Sequence, residues 1–515
     1  MTTLPPSPCL LTRRTFTEYL RVAVGLEEVG QRESAIDVLR EAETLLPERP
    51  ESLFLLGGVY ERLQCWEKAS LFYGKALEAR PHAARVWHRL GIALLHQDDL
   101  RGSIKALETA VQQDPSIPEY ATDLSMVLSR DGQFEAALGF AQSALKMQPD
   151  DANALNNAGH ILQCLNRSAE ALQFYDAALQ RSPDHPVIRF GRATALLKSG
   201  DFLLGWQEYE SRWLSSRTVR ADIDAPVWEG ESLKGCTILV HHEQGYGDTL
   251  HFIRLMPILA QRGAEVVVQV PVPLVRLMQR VSGVFRVVSV LDPADSFDYH
   301  CPMMSLPMRP GLAAEFVGQF PYLSVSEEDM TTQGGKLSAQ VQGSCQPPDF
   351  IVGLVWSGDP RPHDLRATQT DRRRSMSLET LRPLFSVKGV RFVSFQMGAA
   401  RHQVAETGLP LVDGTENILD FADTAARLSG VDLLITVDTS MAHLAGGLCK
   451  PVWMLSRSDA CWRWGDAGTQ TAWYPDMQIF RQPVAGDWGS VVDDVRLTLV
   501  QLMDLYRGYQ HESGE

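Results

Sequence analysis

Five prolines, Pro47, Pro81, Pro115, Pro149 and Pro183, recur at a spacing of 34 residues. Each closes a segment with the same internal pattern. The segment ending at Pro81 carries Leu56, Gly57, Tyr60, Ala69, Tyr73 and Ala76, and the next carries Trp87, Leu90, Gly91, Ser103 and Ala110. The segment ending at Pro183 carries Ala171, Tyr175 and Ala178. Proline cannot continue a helical hydrogen-bond ladder, so each one marks the end of a helix. Small residues at Ala69, Ser103, Ala137 and Ala171 allow the second helix of each segment to approach the first closely. One such helix pair cannot bury its own apolar face, so the array has to stack into a solenoid.

This period and pattern resemble the tetratricopeptide repeat. Five good repeats are expected at 16–49, 50–83, 84–117, 118–151 and 152–185, and a degenerate sixth at 186–219. The sixth reads Phe202, Leu203, Leu204, Gly205, Trp206 and on to Tyr209, Arg212 and Trp213. That aromatic richness predicts a terminal helix docked on the next domain. First-helix residues line the inner face of such a solenoid, and here they are His88, Arg89, Thr122, Asp123, Asn156, Asn157 and His160. They predict a polar groove that hydrogen-bonds an extended acceptor polypeptide. The competing reading is a solvated concave face, since the asparagines occur in one repeat alone.

The chain has 515 residues, room for about three domains at roughly 150 residues each. A net charge of −15 argues against a nucleic-acid partner, which needs a basic face. No run of 18 apolar residues exists, so no membrane span is expected. The segment Met1 to Phe16 lacks the apolar core of a secretory signal. The eight cysteines are scattered without metal or disulfide spacing, which fits free thiols in a cytoplasmic protein.

After Trp213 the periodicity changes to short apolar runs alternating with helical segments. Strands are expected at Thr237–Val240, Ala264–Val270 and Phe285–Leu291, with helices over Asp248–Gln261 and Pro273–Val281 between them. A polar stretch over 331–348 reads as a linker. The rhythm restarts with strands at Phe350–Trp356, Val390–Phe395, Leu433–Thr436 and Val452–Leu455, interleaved with helices at Ser377–Phe385, Ile418–Leu428 and Ser440–Leu448. A last helix covers Val491–Tyr506. The expected fold is multidomain: an all-α solenoid over 16–219, then two α/β lobes, 225–330 and 349–515, each with a parallel sheet covered by helices. Ligands of such sheets bind at the carboxyl ends of the strands.

Three motifs fall at those strand ends. His241-His242-Glu243-Gln244-Gly245-Tyr246-Gly247-Asp248 follows a strand and opens a helix. Its two glycines permit close backbone approach. Asp248 reads either as a helix N-cap or as a general base. The motif is neither a dinucleotide fingerprint nor a phosphate-binding P-loop, because Leu250 stands where a glycine is needed and no lysine follows. Val437-Asp438-Thr439-Ser440-Met441-Ala442-His443 places free N–H groups and two hydroxyls at a helix start, suited to an anion; otherwise it is a capped helix with His443 packed inside. Gly353-Leu354-Val355-Trp356-Ser357-Gly358 precedes the basic run Arg372-Arg373-Arg374, which reads either as a diphosphate ligand or as a solvated loop.

Taken in this order, and with Ile418-Leu419-Asp420-Phe421-Ala422-Asp423-Thr424-Ala425-Ala426 before the second motif, the region from Val227 to Leu502 resembles the heptosyltransferase-like glycosyltransferases. That family has the two-lobed GT-B arrangement. The whole layout is similar to bacterial repeat-containing glycosyltransferases, some of which modify flagellin. Protein O-GlcNAc transferase shares the logic, but its motifs match less well. The resemblance implies a metal-independent reaction with no cofactor beyond a nucleotide-sugar co-substrate. It implies Asp248 as the base. It implies that Gly245, Gly247, Trp356, Ser357, Gly358, Arg374, Gln396, Asp438, Thr439, Ser440 and His443 bind the nucleotide sugar. The expected activity is sugar transfer to a serine or threonine hydroxyl of a protein held by the repeats, flagellin or another surface protein being the acceptor. The alternatives are an interaction scaffold with an inactive transferase region, or a transferase acting on lipopolysaccharide or another glycan. Asp222-Ile223-Asp224 has a metal-binding look but reads as a solvated turn.

Overall fold

The structure is a computed structural model, and it describes residues 14–47, 49–215, 220–316, 320–342, 350–361 and 363–512. The chain divides into two compact units, 1–157 and 158–515, so the division falls inside the fifth repeat.

The first unit is a stack of antiparallel helix pairs: Phe16–Glu28 with Arg32–Thr44, Pro50–Arg62 with Trp66–Ala79, Ala84–His96 with Leu100–Gln113, and Pro118–Asp131 with Phe134–Met147. The periodic prolines follow the second helices, and Pro50 and Pro118 open first helices, where a missing N–H costs nothing. Ala69, Ser103 and Ala137 are fully buried, as their spacing predicts. The glycines of the first helices make that packing possible. A Cβ on Gly57 would stand 2.8 Å from the Tyr73 ring, and one on Gly91 would stand 2.6 Å from Leu107.

The second unit holds the end of the repeat array, with helices Ser168–Arg181, Pro186–Ser199 and Phe202–Tyr209, and two parallel sheets. The first sheet consists of β1 (Thr237–His241), β2 (Glu265–Gln269), β3 (Val284–Val288) and β4 (Tyr299–Pro302), in the order β3-β2-β1-β4. The second consists of β5 (Phe350–Val355), β6 (Val390–Ser394), β7 (Leu411–Asp413), β8 (Leu433–Val437), β9 (Val452–Ser456) and β10 (Met477–Arg481), in the order β10-β9-β8-β5-β6-β7. Connections reverse direction between β5 and β8, which opens a crevice at their carboxyl ends. The expected α/β class holds. The expected docking of the terminal repeat helix holds as well: Trp206 is buried edge-on against Phe252, Phe316 and Trp462.

Three expectations need correction. The described part of the segment expected to be a loose linker, 331–342, is helical. Residues Glu327–Gln342 form a helix with a π turn at Met330–Gly334, because Leu337 and Val341 find apolar cover and the Gln333 amide oxygen accepts from Arg427. The remainder of that stretch lies outside the described residues. The helix expected over Asp248–Gln261 is three pieces, Tyr246–Phe252, Ile253–Leu255 and Met256–Gln261, the break falling just before Pro257. Strands β4, β7 and β10 were not predicted, since they are short and carry polar residues that mask the apolar signal. Asp222 and Asp224 are exposed, as a solvated turn requires.

Candidate functional site

The two helix-opening motifs meet. β1 delivers the chain to Gly245, and the helix Tyr246–Phe252 starts there. β8 delivers it to Thr439, whose hydroxyl accepts the Met441 N–H at 3.3 Å and caps the helix Ser440–Gly447. The two helices touch at Gly247: a Cβ there would lie 2.9 Å from the His443 ring and 3.6 Å from the Ser440 Cα. Gly247 is therefore needed for close approach between protein segments. Thr439 is the cap of helix Ser440–Gly447.

Asp248 is not an N-cap. It is the third helical residue, and its Oδ2 accepts the Gly245 N–H at 3.1 Å. Its Oδ1 accepts from the Arg463 guanidinium, which is itself largely buried. Both carboxylate oxygens are thus fixed. Above the same turn, the Arg361 guanidinium lies 2.9 Å from where a Gly245 Cβ would stand.

The end of β5 is tied down by a different set. Gln396, buried, accepts the N–H groups of Trp356 and Ser357 at 3.0 and 2.9 Å and donates to the carbonyls of Ser357 and Met397. Trp356 is fully buried and donates its indole N–H to Gln403 at 3.1 Å. The strand end consumes the polar groups of both side chains, and the core takes the indole. Ser357 is half-buried beside them. Gly358 donates to Ser375 Oγ at 2.9 Å, and the space a Cβ would need is filled by Asp371 and Arg374. Arg374 pairs with Asp371 at 2.8 Å and donates to the Asp438 carbonyl at 3.3 Å, so it spans the crevice between β5 and β8.

His443 follows the second of its two readings, a packed side chain. It is buried, stacks on Trp464, and its Nδ1 faces the Tyr474 hydroxyl at 2.7 Å. The same hydroxyl meets His251 Nδ1 at 3.0 Å, and Arg254 reaches both His251 and the Tyr322 hydroxyl. Burial, with Arg254 and Arg463 nearby, holds both imidazoles well below their ordinary value. His443 is therefore packed in the core.

The motifs did not point to the segment after β9. Arg457 is almost buried, with Nε and Nη1 lacking a hydrogen-bond partner and Asp459 at 3.2 Å. Arg373 also pairs with Asp459, at 3.2 Å. Arg463 lies 4.3 Å above the Trp462 ring. Arg457 and Arg463 both raise the positive potential around Asp438. The one sequence signal was an arginine set between two tryptophans just past a strand end.

A buried ion pair anchors the first motif to the last repeat. Arg212 and Glu243 side chains are each 2% exposed and pair at 2.9 Å; Glu243 also accepts the Met304 N–H, and Arg212 donates to Ser305. Glu243 thus has a structural task.

Among the expected acceptor residues, His88 is buried, its Nε2 2.7 Å from Asp123 and its ring tilted on Tyr120, so it does not face a groove. Arg89 pairs with Glu61 at 2.8 Å, the Thr122 hydroxyl donates to the Pro118 carbonyl, and Asn157 donates to the Thr122 carbonyl at 3.4 Å. Asn156 is half-buried and His160 exposed. Ligand atoms of His88, Glu119 and Asp123 lie within 4.8 Å of one another, the single such grouping among the described residues.

The tetratricopeptide-repeat family model matches residues 66–118 and 122–186. The chain is 26% identical to Protein FlbA of Caulobacter vibrioides over 511 residues, 93% of this chain and 83% of that one. It is 26% identical to the human Protein O-mannosyl-transferase TMTC1 over 164 residues, 31% of this chain and 19% of that one. Of the Arabidopsis thaliana protein NPGR1 it spans 20%, at 29% identity over 26% of this chain. Among solved structures, the repeat protein YrrB is 24% identical over 33% of this chain and 87% of its own, with a TM-score of 0.28. The N-terminal region is a tetratricopeptide-repeat array. No helix among the described residues is long and apolar enough to cross a membrane.

Proposed function

We propose that the second unit transfers a sugar from a nucleotide-activated donor to a serine or threonine hydroxyl of a protein presented by the repeats. The observation that carries this reading is the meeting of two strand-end motifs at Gly247, which brings Asp248 to a carboxyl-end crevice furnished with Arg374, Arg457 and Arg463. In a sugar transfer the donor's phosphate leaves with negative charge. Fixed arginines and the N–H groups opening helix Ser440–Gly447 would stabilise that charge as it develops. Asp248 is the group that would take the acceptor hydroxyl's proton. FlbA supports the reading by covering both units, and the name of TMTC1 supports a protein acceptor.

One observation favours a second reading, a scaffold with an inactive transferase region: both oxygens of Asp248 are already engaged. A panel of UDP, GDP, ADP, CMP and dTDP separates the two. A nucleotide at about 100 times its dissociation constant adds roughly 2.7 kcal/mol to the stability of the unit that binds it. One clear thermal shift supports the transferase, and its loss in Arg374→Ala places the nucleotide at the crevice. No shift with any of the five supports the scaffold.

A further inference from the structure

Cys164 ends the helix Ala152–Cys164, and its Sγ lies 3.7 Å from Nε2 of His160, one turn earlier. The thiol is partly exposed and the imidazole exposed, so both are open to a small reagent. Two helices and the C-terminal α/β region face the pair. Helix Pro186–Ser199 brings Lys198; helix Ser168–Arg181 brings Tyr175; the α/β region brings Arg373, Arg457 and Asp459. Three of these neighbours are cations, Lys198, Arg373 and Arg457, against one carboxylate, Asp459. The carbonyl end of a helix disfavours an anion, so a thiolate here has to be held by its partners.

Burial and the Asp459 carboxylate push the Cys164 thiol up, but His160, with Lys198 behind it, leaves it below its ordinary value. The thiolate in turn raises His160. A thiolate beside an imidazolium is the usual arrangement of a reactive cysteine. Cys65 and Cys236 provide internal contrast, for they too are partly exposed but their thiols meet backbone carbonyl oxygens.

We propose that Cys164, paired with His160, is a modification site that takes small disulfides of the glutathione class by thiol exchange. The Cys164 thiolate attacks one sulfur of the disulfide; a new Sγ–S bond forms, the reagent's S–S bond breaks, and the second half leaves as a thiolate that solvent protonates. His160 keeps its proton throughout and loses its anionic partner. The neighbouring turn shows what such an adduct would crowd. Asn166 donates to the Ser458 carbonyl at 2.8 Å and Ser168 donates to Asp466 at 2.8 Å, so the residues after Cys164 clasp the segment that carries Arg463. The chemistry stands whether or not the second unit is a transferase.

The test uses the full chain. Iodoacetamide labelling at pH 6.5, followed site by site by mass spectrometry, should show Cys164 reacting about tenfold faster than Cys65 or Cys236. Oxidised glutathione should place its mixed disulfide on Cys164 first. His160→Gln should slow Cys164 to the rate of the other two and raise the pH at which its labelling rate turns upward; circular dichroism checks that the variant is folded. Equal rates at the three cysteines in the unaltered protein, or a Cys164 rate indifferent to His160→Gln, would overturn the proposal.

Discussion

Asp248 and Arg463 form an ion pair between two segments 215 residues apart, one following the first sheet's central strand and the other following β9. The pair joins a motif that the sequence displays openly to an arginine that it does not. It also fixes how the aspartate would work. The guanidinium aims the carboxylate, and proton transfer would require Oδ1 to loosen from it.

Asp248→Asn therefore retains the fold and nucleotide binding while lowering sugar transfer by about 10²–10⁴-fold, the usual worth of a general base. Single-turnover transfer with the donor found by the nucleotide panel measures it. Unchanged transfer would remove the aspartate from the mechanism.

Glu243→Ala leaves the Arg212 guanidinium buried without its main partner, since Arg212 and Glu243 side chains are each 2% exposed. Breaking a buried pair from one side costs about 3–5 kcal/mol. Urea denaturation should show that loss in the transition of the second unit. A change under about 1 kcal/mol would mean that Glu210, which also accepts from Arg212, suffices alone.

Gly247→Ala places a methyl group 2.9 Å from the His443 ring, which Tyr474 and Trp464 hold in place. Overpacking of this kind costs about 1–3 kcal/mol. Gly235→Ala is no control, because Gly235 has a φ of +74°. Gly74→Ala is one, since a Cβ there meets nothing within 4 Å. A lower melting temperature for Gly247→Ala with none for Gly74→Ala is the expected result.

Acid should weaken the second unit as the pH falls below about 6.5. Burial, reinforced by His300, pulls His241 from 6.5 down to about 4. The unfolded chain then binds a proton that the folded chain refuses. Stability is full above pH 6.5 and falls as pH drops towards 4, by on the order of 3 kcal/mol for this residue. His251 and His443 act in the same direction. Denaturation midpoints between pH 7 and pH 4.5 check the slope, and His241→Phe should flatten it.

The sequence by itself determined the repeat period, the helix ends of the repeats, the α/β rhythm and the places of the two strand-to-helix turns, though not which residue caps each helix. These are local matters of proline geometry and apolar spacing, each readable within a few residues. It did not determine which polar residues would be open. Trp356, Gln396 and His88 all looked available, yet each is buried and hydrogen-bonded within the protein. Nor did it show that Glu327–Gln342 would be helical, because the cover for Leu337 and Val341 comes from other segments. Arg463, Arg457 and the pairing of Cys164 with the charges of the α/β region were hidden for the same reason. Burial and electrostatic partnership depend on residues a hundred or more positions away, and only the tertiary structure brings them together.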